Sequence, residues 1–232
     1  MNTTLILDFL RQVAQNNNRP WFNSHKDLYL AAKADFDAGV ESAIARIATF
    51  DPTIAYITSK DATYRFYRDI RFSPDKSPYK RHFGAYIAAK GKKSLHGGYY
   101  LHIEPGQCML ACGSYYLPTN ILNACRRDIM ASIDEWRACV NNPDFLDLYG
   151  DGSQTDMDAP KGFGISQLKT APAGFPRDYE HINYLRLKDY CCWHHVPDNF
   201  FEGDAWLDQM EHAFRVAKPM MDFVNFTIDQ FI

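Results

Sequence analysis

Basic side chains are concentrated between residues 60 and 81, in a stretch that also carries several aromatic residues. Seven of its side chains are Lys or Arg and three are Asp, which gives a formal charge of +4 in a chain whose net charge is −3. Arginine presents a planar fork of N–H donors that matches a carboxylate or phosphate group. A neighbouring aromatic ring can stack on a base or another ring. This composition predicts a site for an anionic or nucleotide-like small molecule.

The candidate residues come from this stretch and from the Trp-Phe pair before the second predicted helix. Lysine and arginine would hold the anion, and an aromatic ring would form the wall of the site. The candidate ligand-binding residues are Arg68, Arg71, Lys76, Lys80, Tyr79 and Trp21. For Trp21 an alternative is a hydrophobic staple that packs against the start of a helix.

The same stretch allows a structural interpretation and two other functions. Arg68, Asp69, Arg71 and Asp75 would pair with one another and pin a proline-containing loop to the sheet. A flat basic surface would instead indicate an interaction module for nucleic acid or a protein partner. In a third alternative Asp69 or Asp75 is the acid–base group of an enzyme, which requires a raised pKa in a pocket. The sequence contains no Walker A, G-x-G-x-x-G, H-E-x-x-H or G-x-S-x-G motif, so it selects no catalytic residue.

Histidine and cysteine cluster in a second stretch, from Cys191 to His195. On a strand, alternate residues face opposite sides, so each face offers only two of these side chains. A zinc site needs four protein ligands, or three and a water molecule. A third ligand would have to come from His181 or His102, and buried thiols beside a satisfied histidine are the simpler interpretation. The sequence therefore predicts no metal site and no cofactor.

Helices are predicted before the basic stretch. Apolar residues between Leu5 and Val13 recur every three or four positions, which predicts a first helix. The asparagines from Asn16 to Asn18 are expected to end it, because Asn competes for backbone hydrogen bonds. A second helix is predicted to begin near Asn23 or Ser24, both of which are good N-cap residues.

The middle of the chain changes to a period of two, which is typical of strands. Residues 83–88 and 99–104 alternate, and a turn at 104–107 leads into another strand at 108–114, as in an antiparallel hairpin. In the second of these strands Tyr100, His102 and Glu104 share one face. Further strands are predicted at 63–72 and 185–196.

The remaining stretches complete the predicted architecture. A helix is expected at 121–133 with Arg126 facing outward, then a short helix to about residue 140, a long loop at about 150–164 and a C-terminal helix. Strands follow one another without regular βαβ alternation. The predicted fold class is α+β, with an antiparallel sheet from a central strand meander plus a returning strand. N-terminal, middle and C-terminal helices pack on this sheet, and residues 1–232 form a single domain.

Several motifs resemble the domain of unknown function 2461 family, which comprises uncharacterised bacterial and fungal proteins. They are Asn17-Asn18-Arg19-Pro20-Trp21-Phe22, the stretch from Tyr67 to Lys80, Gly98-Tyr99-Tyr100, the Gly113 region, the stretch from Leu168 to Phe175, and Leu185-Arg186-Leu187-Lys188. Ala173 stands where the family pattern has Lys. The resemblance covers nearly the whole chain and implies a single α+β domain that is usually cytoplasmic. It implies no activity.

Composition limits the functional classes. The chain has 232 residues, 46% hydrophobic and 15% aromatic, which is enough apolar material for a substantial core. Its near-neutral charge excludes a uniformly basic surface, although nucleic acid stays open as a partner of a local patch. The N-terminus has no basic leader and no apolar run approaches the length of a membrane span. We therefore expect a cytoplasmic protein with reduced cysteines and no membrane partner; the sequence assigns no oligomeric state.

Overall fold

The computed structural model describes residues 1–153 and 155–232, and these residues contain helices and one five-stranded sheet. The helices in this part of the chain are α1 (Thr3–Gln15), α2 (Arg19–Ser24), α3 (Lys26–Ala48), α4 (Ser59–Ala62), α5 (Thr119–Ala131), α6 (Ile133–Val140), α7 (Pro143–Tyr149), α8 (Ile182–Arg186) and α9 (Ala205–Ile228). The strands are β1 (Phe83–Ile87), β2 (Gly98–Ile103), β3 (Met109–Ser114), β4 (Lys161–Phe163) and β5 (Tyr190–His195). Among the described residues, no helix combines the length and apolar character needed to cross a membrane.

The sheet confirms the predicted α+β fold class. Its strands are antiparallel and lie in the order β1-β2-β3-β5-β4. The central meander β1, β2 and β3 is the part that the period-two pattern predicted. The turn after β2 closes with the Gln107 N–H donating to the Glu104 carbonyl at 2.9 Å, and Gly106 takes a φ of +75°, where glycine is favoured.

By contact density the chain divides into two compact units that interleave along the sequence. The first contains Met1–Lys92, Tyr100–Met109 and Val196–Glu211, and the second contains Lys93–Tyr99, Leu110–His195 and His212–Ile232. The description of a single domain stays a prediction.

The first unit has an aromatic core. On α1, Phe9 and Val13 are buried at the predicted helical spacing while Leu5 is half-buried, and the helix ends at Gln15 as expected. The ring of Phe9 lies 5.5 Å from that of Phe66 and 6.0 Å from that of Phe83. These contacts fix one residue inside the basic stretch, Phe66, and one just after it, Phe83.

The start of the second helix was predicted wrongly. The chain forms the short helix α2 first, because the Asn18 side chain accepts a hydrogen bond from the Trp21 N–H at 3.0 Å and Pro20 stands in the first turn. Helix α3 then begins at Lys26, with His25 at its N-cap and no side-chain capping bond. Asn23 and Ser24 therefore end one helix instead of starting another.

Ring packing also dominates the core of the second unit. The Trp136 ring lies 5.3 Å from the ring of Tyr190 and 5.2 Å from that of Phe223. Arg126, which was predicted to face outward, is only 4% exposed. Its guanidinium donates to the Leu187 carbonyl at 2.8 Å, so a long-range hydrogen bond explains the burial of this charge.

Three predicted segments differ from the structure. Residues 63–72 form no strand, because their few backbone bonds make only the isolated bridges Thr63 to Ala85 and Tyr67 to Tyr79 and no continuous ladder. The strand predicted at 185–196 begins at Tyr190, since residues up to Arg186 belong to α8. The predicted loop at 150–164 contains β4, which pairs antiparallel with β5.

Strand β4 was missed because three residues are too few to establish a period. Its middle residue, Gly162, lies directly against the ring of Trp193, where an added Cβ would come within 2.2 Å of a ring carbon. Only glycine permits this close approach of the two strands.

Candidate ligand cleft

Most of the basic stretch folds back on itself as a short hairpin-like arm, residues 65–81, joined by the isolated bridge between Tyr67 and Tyr79. The Arg68 N–H donates to the Pro78 carbonyl at 2.9 Å, and the Lys80 N–H donates to the Phe66 carbonyl at 3.0 Å. Phe66 and Tyr79 are buried, so alternate residues anchor the arm while others point out of the core. The backbone pairing therefore determines which basic side chains share a face.

Asn17 fixes the arm from the loop after α1. Its side-chain oxygen accepts from the Tyr79 N–H and its side-chain nitrogen donates to the Tyr79 carbonyl, both at 3.0 Å. The Asn17 amide thus hydrogen bonds to both backbone groups of Tyr79, as a neighbouring strand would. The position of Lys80, the next residue, depends on this pair of bonds.

Arg68 is held inside the arm by acidic and hydroxyl groups. Its guanidinium bonds to the carboxylate of Asp75, and it donates to the Ser77 hydroxyl at 2.5 Å and the Ser73 hydroxyl at 3.3 Å. Hydrogen bonds from Ser77, followed by the bond from Arg68, lower the pKa of Asp75 to about 2. The predicted internal pairing of Arg68 with Asp75 is thus present.

The tip of the arm carries a second internal pair. The Arg71 guanidinium donates to both carboxylate oxygens of Asp69, at 3.0 and 2.7 Å, and lowers the pKa of Asp69 to about 2. Lys76 donates to the Ile70 carbonyl at 3.0 Å. A general acid or base works best with a pKa near the operating pH. Asp69 and Asp75 are both far below it, so the acid–base alternative loses the raised pKa on which it depended.

A cleft of about 280 Å³ opens at the base of the arm. Its walls combine three basic side chains, two carboxylates, a hydroxyl, a phenol and an imidazole. The lining residues are Arg68, Asp75, Ser77, Tyr79, Lys80, Arg81, His82 and Glu104. Three of the predicted ligand residues, Arg68, Tyr79 and Lys80, thus meet in one cleft. Arg71, Lys76 and Trp21 do not line it.

Lys80 and Arg81 supply the available positive charge. The Lys80 ammonium lies 5.2 Å from the centre of the Tyr64 ring, in a cation–π contact. Burial and the nearby Arg65 cation lower its pKa. Within the described residues, neither Lys80 nor Arg81 forms an ion pair with a carboxylate, whereas Arg68 does. The sequence could not separate these cations, because pairing depends on how the arm folds.

The rings of Tyr79 and Trp21, which were predicted to form the wall of the site, pack against other aromatic rings. Tyr79 is only 3% exposed, and its ring stacks on that of Phe22 with the centroids 4.0 Å apart. Trp21 stacks on the His25 ring at 4.3 Å, away from the lining of the cleft. Neither ring therefore presents a free face for a base inside the cleft.

Two lining residues of the cleft, His82 and Glu104, lie close to His102, which is outside the lining; these three residues are here called the His–Glu cluster. One ligand-capable atom of each lies within 4.8 Å of those of the other two. His102 Nε2 is 3.1 Å from Glu104 Oε2, and His82 Nδ1 is 3.7 Å from the same oxygen. The Tyr100 hydroxyl is 2.9 Å from the other ring nitrogen of His102.

Burial sets the protonation of this cluster. It lowers the pKa of His82 to about 4, with a further contribution from neighbouring His102. The hydrogen bond from His102 lowers the pKa of Glu104, and burial raises that of Tyr100. At neutral pH His82 is therefore a neutral imidazole beside an ionised carboxylate.

Sequence reasoning placed Tyr100, His102 and Glu104 on one face of a strand but missed His82. The available signal was the antiparallel hairpin, because the start of β1 lies beside the end of β2 in such a pair. His82 precedes β1 and Glu104 follows β2, so the pairing brings them together.

Comparison with known proteins adds a family to this geometry. A family model described as a conserved hypothetical protein (DUF2461) matches residues 5–223. The chain belongs to the DUF2461 family. No curated protein and no solved structure matches the chain.

Two of the motifs that carry the resemblance have structural roles at the arm of this DUF2461 chain. Asn17 fixes the arm, Asn18 caps α2, and Phe22 packs under Tyr79. The stretch from Tyr67 to Lys80 forms the whole arm except residues 65, 66 and 81. These motifs thus build one wall of the cleft and hold it in position.

The Cys191–His195 stretch forms part of the second unit's core. Cys191 and Cys192 are buried, and the Cys192 thiol lies 3.6 Å from the Cys112 carbonyl. His195 Nε2 is 2.9 Å from the Met157 carbonyl. In the described part of the chain, the His–Glu cluster is the group with metal-ligand spacing, and it shares no residue with this stretch.

Proposed function

We propose that this protein binds a compact anionic small molecule, such as a phosphate ester or a carboxylate, in the cleft at the base of the arm. The observation that carries the proposal is the position of Lys80 and Arg81, which line the cleft and form no close ion pair among the described residues, although Arg81 acts on Glu104 at longer range. An anion in the cleft would offset the positive charge that these two residues bring to its lining.

The pKa of Lys80 supports this proposal. Its ammonium is disfavoured by burial and by the Arg65 cation, so a bound anion would favour the charged form and raise that pKa again. Arg68 adds a third cation, already positioned by Asp75 and Ser77. Preorganised donors bind an anion without losing further side-chain freedom.

The size of the cleft restricts the ligand. Its volume of about 280 Å³ lies just below the usual range of about 300–1,000 Å³ for small-molecule sites. A single charged group with a short organic part fits this volume. A dinucleotide or a polymer would have to extend beyond it.

Titration calorimetry with inorganic phosphate, at low ionic strength and with EDTA present, tests the proposal. A lining charge about 5 Å from the anion contributes about 1 to 3 kcal/mol at an effective dielectric constant of 20 to 80. Lys80 is partly exposed, so the lower part of this range applies and Lys80→Met should weaken binding about 5- to 30-fold. Arg81→Met should act in the same direction.

Lys26→Met is the matched control, because Lys26 is an exposed lysine that does not line the cleft. It should leave the phosphate affinity unchanged. Equal weakening by Lys26→Met and Lys80→Met would show only a general charge effect and would contradict the cleft as the binding site.

A second candidate function is binding of single-stranded nucleic acid at the tip of the arm. The side chain of Arg71 is 76% exposed and Phe72 is 95% exposed, with the guanidinium 6.0 Å from the ring centre. Exposed ring faces beside basic groups are the usual elements of such binding. Phe72→Ala should then abolish salt-dependent binding to single-stranded DNA. If the wild-type protein does not bind single-stranded DNA at 50 mM salt, this candidate function is excluded.

A further inference from the structure

We propose that the His–Glu cluster binds one divalent transition-metal ion at the end of the cleft. Its ligand-capable atoms lie within 4.8 Å of one another, and two of the three separations are fixed at 3.1 and 3.7 Å from Glu104 Oε2. Two ligand atoms that each lie about 2.1 Å from one ion are about 3 to 4 Å apart. Small rotations of the side chains are therefore enough to close the site around an ion.

The donor set indicates which ions fit. Two imidazoles and one carboxylate suit zinc, or iron in its divalent state, whereas magnesium and calcium prefer oxygen ligands alone. Three protein ligands leave at least one coordination position open, as in metal sites that bind a further ligand. His82 and Glu104 line the cleft, so the open position would face it.

The Tyr100 hydroxyl contacts the His102 ring nitrogen that does not face Glu104. Metal-binding histidines usually hydrogen bond through their other ring nitrogen, which orients the ring. The Tyr100 hydroxyl is 2.9 Å from His102 Nδ1, so Nε2 is the nitrogen directed toward Glu104. Gly84 makes room for this phenol, because a Cβ there would lie 2.6 Å from the hydroxyl oxygen.

The backbone around the cluster is well supported. His102 lies on β2, His82 immediately precedes β1, and Glu104 opens the turn whose Gly106 N–H donates to Asp198 at 2.8 Å. Ligands carried by strands and a closed turn are held in place before an ion arrives. This observation distinguishes the cluster from exposed acidic groups that meet by chance.

The metal proposal rests on different side chains from the anion proposal, so the two can be tested separately although they share one cleft. A metal ion would add positive charge beside Lys80 and Arg81, and would therefore strengthen anion binding. Phosphate binding in EDTA tests the anion site alone, and metal binding without phosphate tests the cluster alone.

Competition between the protein and a chromophoric chelator for Zn²⁺ in phosphate-free buffer tests the inference. The wild type should bind one zinc ion per chain. Glu104→Gln keeps the size of the side chain and should weaken zinc binding at least 100-fold, as should His82→Ala. Tyr100→Phe, which changes only the support of His102, should weaken it about 10-fold.

His212→Ala is the control, because His212 is exposed and lies outside the cluster. It should keep the wild-type zinc affinity, and circular dichroism checks that each variant is folded. No zinc binding by the wild type below 100 µM would overturn the proposal, and so would binding that Glu104→Gln and His82→Ala both leave intact. Lys80→Met should not weaken zinc binding, because it removes a neighbouring positive charge and no ligand, and this separates the result from a failure of the anion site.

Discussion

Replacement of Asn17 by alanine is the sharpest test of how the cleft wall is held. The Asn17 amide makes two hydrogen bonds of 3.0 Å, to the N–H and the carbonyl of Tyr79. Each bond contributes about 1 kcal/mol net, and a buried backbone group left without a partner costs about 1 to 3 kcal/mol. Tyr79 is buried, so water does not easily replace both partners. We expect Asn17→Ala to lower the free energy of unfolding by about 2 to 4 kcal/mol.

The assay is urea unfolding followed by circular dichroism, with Asn18→Ala as the matched control. Asn18 caps α2 through one hydrogen bond, so its loss should cost about 1 kcal/mol. Asn17→Ala should also weaken phosphate binding in the folded protein, because Lys80 follows Tyr79 directly. A cost for Asn17→Ala that is equal to or smaller than that of Asn18→Ala would refute the role assigned to this amide.

Two further predictions follow from the charges. Asp75→Asn should strengthen phosphate binding several-fold in calorimetry, because it removes a negative charge from the cleft while Ser77 and Ser73 still hold Arg68; weaker binding would contradict a cationic cleft. Burial raises the pKa of Asp189 to about 6, despite backbone N–H donors that include Ile165. The folded protein therefore holds this proton more tightly than the unfolded chain, and the resulting stability of about 3 kcal/mol is present below about pH 4 and lost as the pH rises through 6. Urea unfolding should show this loss in the wild type and not in Asp189→Asn, and identical pH profiles would refute the assignment.

Local patterns were enough to predict much of the fold. The apolar period of α1 and the alternation of β2 follow from which side chains face the core, and both elements occur where the patterns indicated. Two predictions were wrong: a loop where β4 lies, and an outward-facing Arg126. Contacts with residues distant in the sequence, Trp193 for β4 and Leu187 for Arg126, determine both features.

The site was predictable only in part. The charge of the basic stretch identified the arm, and Arg68, Tyr79 and Lys80 do line one cleft. For Arg71 the sequence left ligand binding and internal pairing both open, and the structure shows it paired with Asp69 at the tip. His82 was missed because its partners lie on the next strand.

A crystal structure of the protein grown in saturating inorganic phosphate tests the central claim most directly. We predict phosphate in the cleft, within hydrogen-bond distance of the Lys80 ammonium and the Arg81 guanidinium. A cleft without phosphate under these conditions, or phosphate bound only at the tip of the arm, would contradict the account.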